Sequence, residues 1–286
     1  MLEINVSNNQ IFFGKHFSIV FKRTLRIPND GKEYPLPAGL GTFPIYKVSD
    51  YIDTVPFHWI EEGGGVFIPM YQSEALWIDF IYPSWRPHVI KIGAGYINVV
   101  NGQPFAEKLA QNENDYMVCP KQPWLDGFNI GNGIVRQFVA TPLGTGQSVE
   151  AQLTGEDKHG GLQIIVYSPK PGLFPDKDPY AHGLFQRNIS NEMSEMGLAA
   201  GGKITQKIYE DRYGYNTWDT QNFGKVEIHI INSLAFQGIT GLQPPASPIS
   251  LQLYKDAGLP WYKVYDDEQA SLAASTRLKN IKPSGD

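Results

Sequence analysis

Between Tyr116 and Tyr167 the chain alternates short apolar–polar runs with turn dipeptides at close spacing, and this constrains the fold more than any other feature. Asp126-Gly127 and Asn132-Gly133 read as hairpin turns, because both central positions of a type I′ turn need a positive φ that Gly takes without strain. Ile134–Thr141 follows as a strand. Val149, Ala151 and Leu153 then alternate with Glu150, Gln152 and Thr154, and Leu162, Ile164 and Val166 repeat the pattern, so both stretches are expected to be strands. The expected class is mainly β, an antiparallel sandwich or barrel-like architecture with a few short helices, mostly C-terminal. The 15 Phe, 15 Tyr, 29 Gly and 21 Pro suit strands and turns better than helices.

The rest of the chain fits that frame. Residues 17–25 form an early strand, 28–31 a turn and the Pro/Gly-rich 34–41 an ordered connector. After the glycine break at 63–65, Leu76, Ile78 and Phe80 mark a strand within 66–81. Residues 89–100 read as a strand pair or one long bent strand, with Gly93 and Gly95 as bulge sites and Asn101-Gly102 closing it. Two helical turns are expected over 104–111, with Pro104 in the first turn. Residues 168–179 carry four prolines and read as a linker or crossover. This divides the chain into a β-rich lobe at 1–170 and a second at 171–286 that ends in a helix, the two packed as one unit. Within the second lobe the expectation is a helix over 184–196, strands over 203–209 and 225–232, and helices over 250–256 and 266–279. No internal repeat is visible.

Composition bears on function class. A net charge of −5 without a basic stripe argues against nucleic acid as the main partner. No window reaches the ~18–20 apolar residues of a membrane span. The first residues lack a secretory pattern and Cys119 is the sole cysteine, so a cytoplasmic protein without disulfides is expected.

Chemistry-bearing positions are few. Glu227 and His229 sit two apart on one strand face, about 7 Å apart along it, which suits a metal half-site, an acid–base pair or a solvated face. The 156–161 loop gathers Glu156, Asp157, Lys158 and His159 between two expected strands, a composition that suits a functional loop or a polar turn. Trp124 and Trp261 each follow a proline and could serve as rigid binding platforms or as plugs of the sandwich ends. Gly197 to Lys203 matches G-x-x-x-x-G-K, but Ile204 stands where a phosphate loop needs Ser or Thr, so a glycine loop entering a strand is the better reading. Cys119 has no local group to make it a thiolate and reads as structural.

Blocks at 23–28, 122–127, 136–140, 149–155, 219–232 and 258–261 resemble a bacterial protein family, and the resemblance carries no activity or site residue with it. The residues themselves point first to a non-catalytic soluble protein that binds a protein partner or assembles with itself, because no coherent catalytic constellation emerges and strand edges must be covered. A hydrolase or metal-dependent enzyme built on Glu227, His229 and the 156–159 loop is the alternative. A glycan-binding module using Trp124 and Trp261 is a further one. No cofactor is indicated.

Overall fold

In the computed structural model the described residues are 1–111, 113–177, 179, 196–262 and 271–285. Two sheets face each other across one apolar core. The larger runs Ile4–Ser7, Gln10–Phe13, Phe17–Thr24, Ala75–Ile81, Ile134–Thr141, Gly197–Thr205 and Glu33–Tyr34 in that order. Gly39–Thr42, Trp124–Leu125 and Gly127–Gly131 pair alongside it. The smaller sheet runs Ile97–Asn98, His88–Ala94, Leu162–Pro169, Trp218–Asn232, Val66–Met70 and Tyr46–Lys47, with Met117–Cys119 against His88–Ala94. Strand pairing is antiparallel except where Val66–Met70 joins Trp218–Asn232 and where Glu33–Tyr34 joins Gly197–Thr205. Both sheets are open, so the sandwich forms and the barrel does not.

The period-two pattern explains the core. Ile11, Phe13, Ile19 and Phe21 of one sheet and Ile90, Ile92, Ile164, Val166, Val226 and Ile228 of the other are buried in one cluster. The opposite face of the smaller sheet is covered at both ends. At one end Trp59 of helix Phe57–Glu61 and Phe236 of helix Ser233–Thr240 pack with Phe67 and Ile231. At the other, Leu109 and Trp218 pack with Val89, Val118, Ile165 and Tyr167. Strands from before and after residue 170 pair in both sheets, Leu162–Pro169 with Trp218–Asn232 and Ile134–Thr141 with Gly197–Thr205. Among the described residues no helix is long and apolar enough to cross a membrane.

Several sequence expectations need correction. Val149–Thr154 is an α-helix: the Ser148 hydroxyl accepts from the Ala151 amide, and Gly155 closes the helix in a left-handed conformation at φ 80°. Asn132-Gly133 does form a positive-φ hairpin turn (φ 56° and 71°), but Asp126-Gly127 does not. There the chain passes from pairing with Ala75–Ile81 to pairing with Ile134–Thr141, and a Cβ on Gly127 would overlap the Arg136 carbonyl. Gly93 is no bulge; a Cβ there would lie 2.8 Å from the Phe105 ring, while Gly95 and Tyr96 form the turn that returns the strand. Residues 104–111 are not helical, and Phe105 and Leu109 pack against the sheet. The glycine-rich 197–202 run lies inside the Gly197–Thr205 strand, where Val139 and Ile27 approach too closely for side chains. The 34–41 connector contributes short strands, and Leu36–Pro37 pairs with Trp261–Tyr262. Helix Leu251–Asp256 forms with Ser250 as its cap. The helix expected over 184–196 falls almost wholly outside the described residues. The described part of 266–279 has no α-helix, only a short 3₁₀ turn at Leu278–Asn280.

Candidate functional site

Strand alternation puts Glu227 and His229 on the outer face of the smaller sheet, between its two apolar covers. His229 is stacked on Trp59, with ring centroids 4.3 Å apart, and its Nε2 lies 2.8 Å from the Gly64 carbonyl. A carbonyl only accepts, so Nε2 carries the proton. Burial pushes the imidazole down to about 4, and it is neutral at physiological pH. Glu227 accepts from the Tyr96 hydroxyl at 3.1 Å and lies 3.2 Å from Lys225 Nζ, which also reaches Glu107 at 3.0 Å. Burial raises the Glu227 carboxyl against the opposing charge of Lys225. Lys225 is itself raised, since its bonds to Glu107 and Glu227 outweigh a burial effect that lowers it. Tyr96 is raised by burial and then by Glu227.

The 156–161 loop has a different occupation from the one its composition suggests. The buried Glu150 carboxylate accepts from the backbone amides of Lys158, His159 and Gly160, and so fixes the loop from beneath. Asp157 accepts from the Gly144 and Gly146 amides and from the Ser148 hydroxyl. Glu156 is exposed and pairs with Lys158 at 2.7 Å. His159 remains beside the outer-face cluster, its ring edge-on to Tyr96 at 4.8 Å and its Nδ1 3.3 Å from Glu62. The structure thus brings Glu227, His159 and Tyr96 together and leaves Glu156 and Asp157 occupied elsewhere. Among the described residues no group of three or more His, Cys, Asp or Glu side chains is placed to hold a metal ion.

Both tryptophans are half-buried. Trp124 Nε1 donates to Asp126 at 2.6 Å, and Trp261 packs against Tyr34 and Tyr254 at centroid distances of 5.9 and 5.3 Å. The Cys119 thiol is buried, donates to the Gln122 carbonyl at 3.1 Å and is pushed well up by burial.

A second place, absent from the sequence reading, has the features of a binding site. At one end of the sandwich a cavity of about 600 Å³ opens between the sheets. The Gly14-Lys15-His16 turn lines it from the larger sheet. Arg86, His88, Ser168, Asp219 and Asn222 line it from strand ends of the smaller one, and Pro171, Gly172, Asp176 and Lys177 of the proline-rich passage complete it. Arg86 anchors that passage, its Nη1 donating to the Phe174 and Pro175 carbonyls at 3.0 and 3.2 Å and pairing with Asp176 at 2.7 Å. Arg86 Nε and His88 Nδ1 have no hydrogen-bond partner among the described residues, although the two residues are only 8% and 1% exposed. Native interiors rarely leave such atoms unmatched. Burial and then the Arg86 charge push His88 down to about 3 and also lower His16. Both imidazoles are therefore neutral near pH 7. The sequence signal for this site was faint: Arg86-Pro-His88 holds two polar side chains rigidly at a strand entry, but its cavity partners come from distant segments.

No family model, no curated protein and no solved structure matches this chain. The bacterial-family resemblance accordingly gains no support, and function rests on the geometry alone.

Proposed function

We propose that the chain is a non-catalytic binding protein that admits a small ligand into the cavity at the end of the sandwich. One observation carries this reading: two almost fully buried side chains, Arg86 and His88, line a cavity of about 600 Å³, and each holds a buried nitrogen with no partner among the described residues. That volume lies within the usual range for small-molecule sites, and convergent polar groups on a concave wall are what such sites use to orient a ligand. The outer-face cluster supports the reading from the other side, since Glu227 and His229 are engaged with neighbouring protein groups. A fragment screen read by amide chemical-shift changes tests it. Hits should move Gly14, His88 and Asp219 together, and hits confined to other surfaces would remove the proposal.

Self-association is a second reading, favoured by a specific feature. Ile4–Ser7 ends the larger sheet, and beside it lies an apolar groove of about 500 Å³ lined by Ile4, Val6, Val48, Ile52, Ile60 and Val226. A second copy of the chain that docked there would cover an open edge. Light scattering decides: a concentration-independent monomer mass excludes it, and a dimer abolished by Val6→Lys supports it.

A further inference from the structure

The end cavity carries one more fixed cation than fixed anion. Lys15, Arg86 and Lys177 face it as fixed cations, against the carboxylates of Asp176 and Asp219. Asp176 is already paired with Arg86 Nη1 and is 82% exposed, so it stands at the mouth and not at the base. The two imidazoles add no charge near pH 7 and offer ring nitrogens as hydrogen-bonding groups.

The guanidinium supplies the geometry. Its Nη1 is taken up by two backbone carbonyls and Asp176, which fixes the plane of the group. What remains is the Nε edge, with a donor that meets no partner among the described residues. An arginine edge of this kind matches the paired oxygens of a carboxylate or phosphate, and charge-assisted bonds in a partly desolvated pocket are about twice as strong as neutral ones. His88 lies beside it with Nδ1 likewise unmet, and its ring is held against Phe17 at a centroid distance of 5.4 Å. Lys15 and Lys177 are exposed at the rim, where they would attract an anion and not bury one.

Resting on the reading of this cavity as a ligand site, we propose that its ligand is a small organic oxyanion, a phosphate monoester or a carboxylate, seated on the Nε edge of Arg86 beside His88. The cavity's apolar wall, from Leu2, Pro169 and Pro171, would take the organic part.

The test is titration calorimetry on the full chain at low salt with glycerol 3-phosphate, glucose 6-phosphate and citrate, and with glycerol and glucose as uncharged comparators. At least one anion should bind, more tightly than its uncharged counterpart, and lose affinity as sodium chloride is added. Arg86→Gln should abolish that binding. Because Arg86 also anchors the 171–176 passage, the rim variant Lys15→Met/Lys177→Met serves as an independent probe that leaves buried groups untouched, and about a tenfold loss is expected. The phosphate and citrate arms distinguish the two oxyanion types. If an uncharged compound binds as tightly as its anion, or the rim variant binds the anion unchanged, the anion proposal fails while the ligand site stands. If none of the five compounds binds at millimolar concentration, the anion proposal is likewise overturned. The fragment screen separately decides whether the cavity is a ligand site at all.

Discussion

Asp126 gives the sharpest test of how burial acts in this protein. Its side chain is 4% exposed, and among the described residues Trp124 Nε1 at 2.6 Å is the polar group that favours its charged form. Burial pushes the carboxyl up to about 7 from an ordinary value of 3.8, the Trp124 bond opposing. The folded protein therefore keeps a proton that the unfolded chain releases at much lower pH. Between these two values the folded state binds more protons, so stability falls as pH rises. At 1.36 kcal/mol for each tenfold change in proton affinity, the loss across the window is on the order of 4 kcal/mol. Asp126→Asn keeps an oxygen acceptor for Trp124 and cannot ionise. Urea unfolding of both proteins from about pH 4.5 to 8 should show similar stabilities at the acid end and an increasing advantage for the variant toward the alkaline end. Every other titrating group cancels in the difference between the two curves. Parallel curves would refute the reasoning, because they would mean that Asp126 ionises in the folded state as readily as in the unfolded one.

Other expectations follow from the same physics. At the end cavity, affinity for a small monocarboxylate, whose charge is constant where a phosphate monoester begins to protonate, should rise as pH falls from about 7.5 to 5.5, since an anion favours the imidazolium form of His16, which burial and Arg86 now disfavour. The groups facing it are Lys15, Arg86, Lys177, Asp176, Asp219 and His88, the last kept neutral by burial. His16→Asn should flatten the dependence, and calorimetry at two pH values checks it. Lys91 is buried against Asp115 and donates to the Lys108 carbonyl at 2.7 Å. Lys91→Met should cost about 3–5 kcal/mol by stranding the carboxylate, and Lys91→Met/Asp115→Asn should cost less than the single variant in chemical denaturation. Glu150→Gln weakens three amide bonds into the 158–160 loop, and faster hydrogen exchange there is the expected readout. Gly127→Ala, forced against the Arg136 carbonyl, should lower the urea midpoint by an amount equivalent to ~2 kcal/mol or more.

What could be read in advance was whatever depends on local periodicity. Val226, Ile228 and Ile230 point inward as their alternation implies, and Glu227 and His229 share the other face. Alternation failed at Val149–Thr154 because a helix of six residues is too short for its period to separate from two. The signal lay at its ends, in Ser148 and Gly155. Asp126-Gly127 and Asn132-Gly133 look alike as dipeptides, yet one glycine supplies a left-handed turn and the other a close approach to a neighbouring strand. No local rule separates these uses, since the neighbour belongs to another part of the chain. The end cavity was illegible for the same reason. His16, Arg86, His88, Lys177 and Asp219 share no spacing, and only the meeting of two sheets places them together.

The placement of Val66–Met70 has a consequence for how the chain comes into being. This strand pairs in parallel with Ile228 to Asn232, roughly 160 residues further on, so a long loop must close before the contact is rewarded. On the ribosome Val66–Met70 emerges long before that partner, and among the described residues its apolar row, Val66, Phe67, Ile68 and Met70, has only Tyr46 and Lys47 to pair with in the meantime. Leu162–Pro169 likewise waits for Trp218–Asn232 to cover one of its sides. Synthesis thus passes through a stage in which half a sheet is built and sticky, and the last-made long strand is the one that completes it. Premature stops before residue 218 should therefore yield aggregates and not a smaller folded protein.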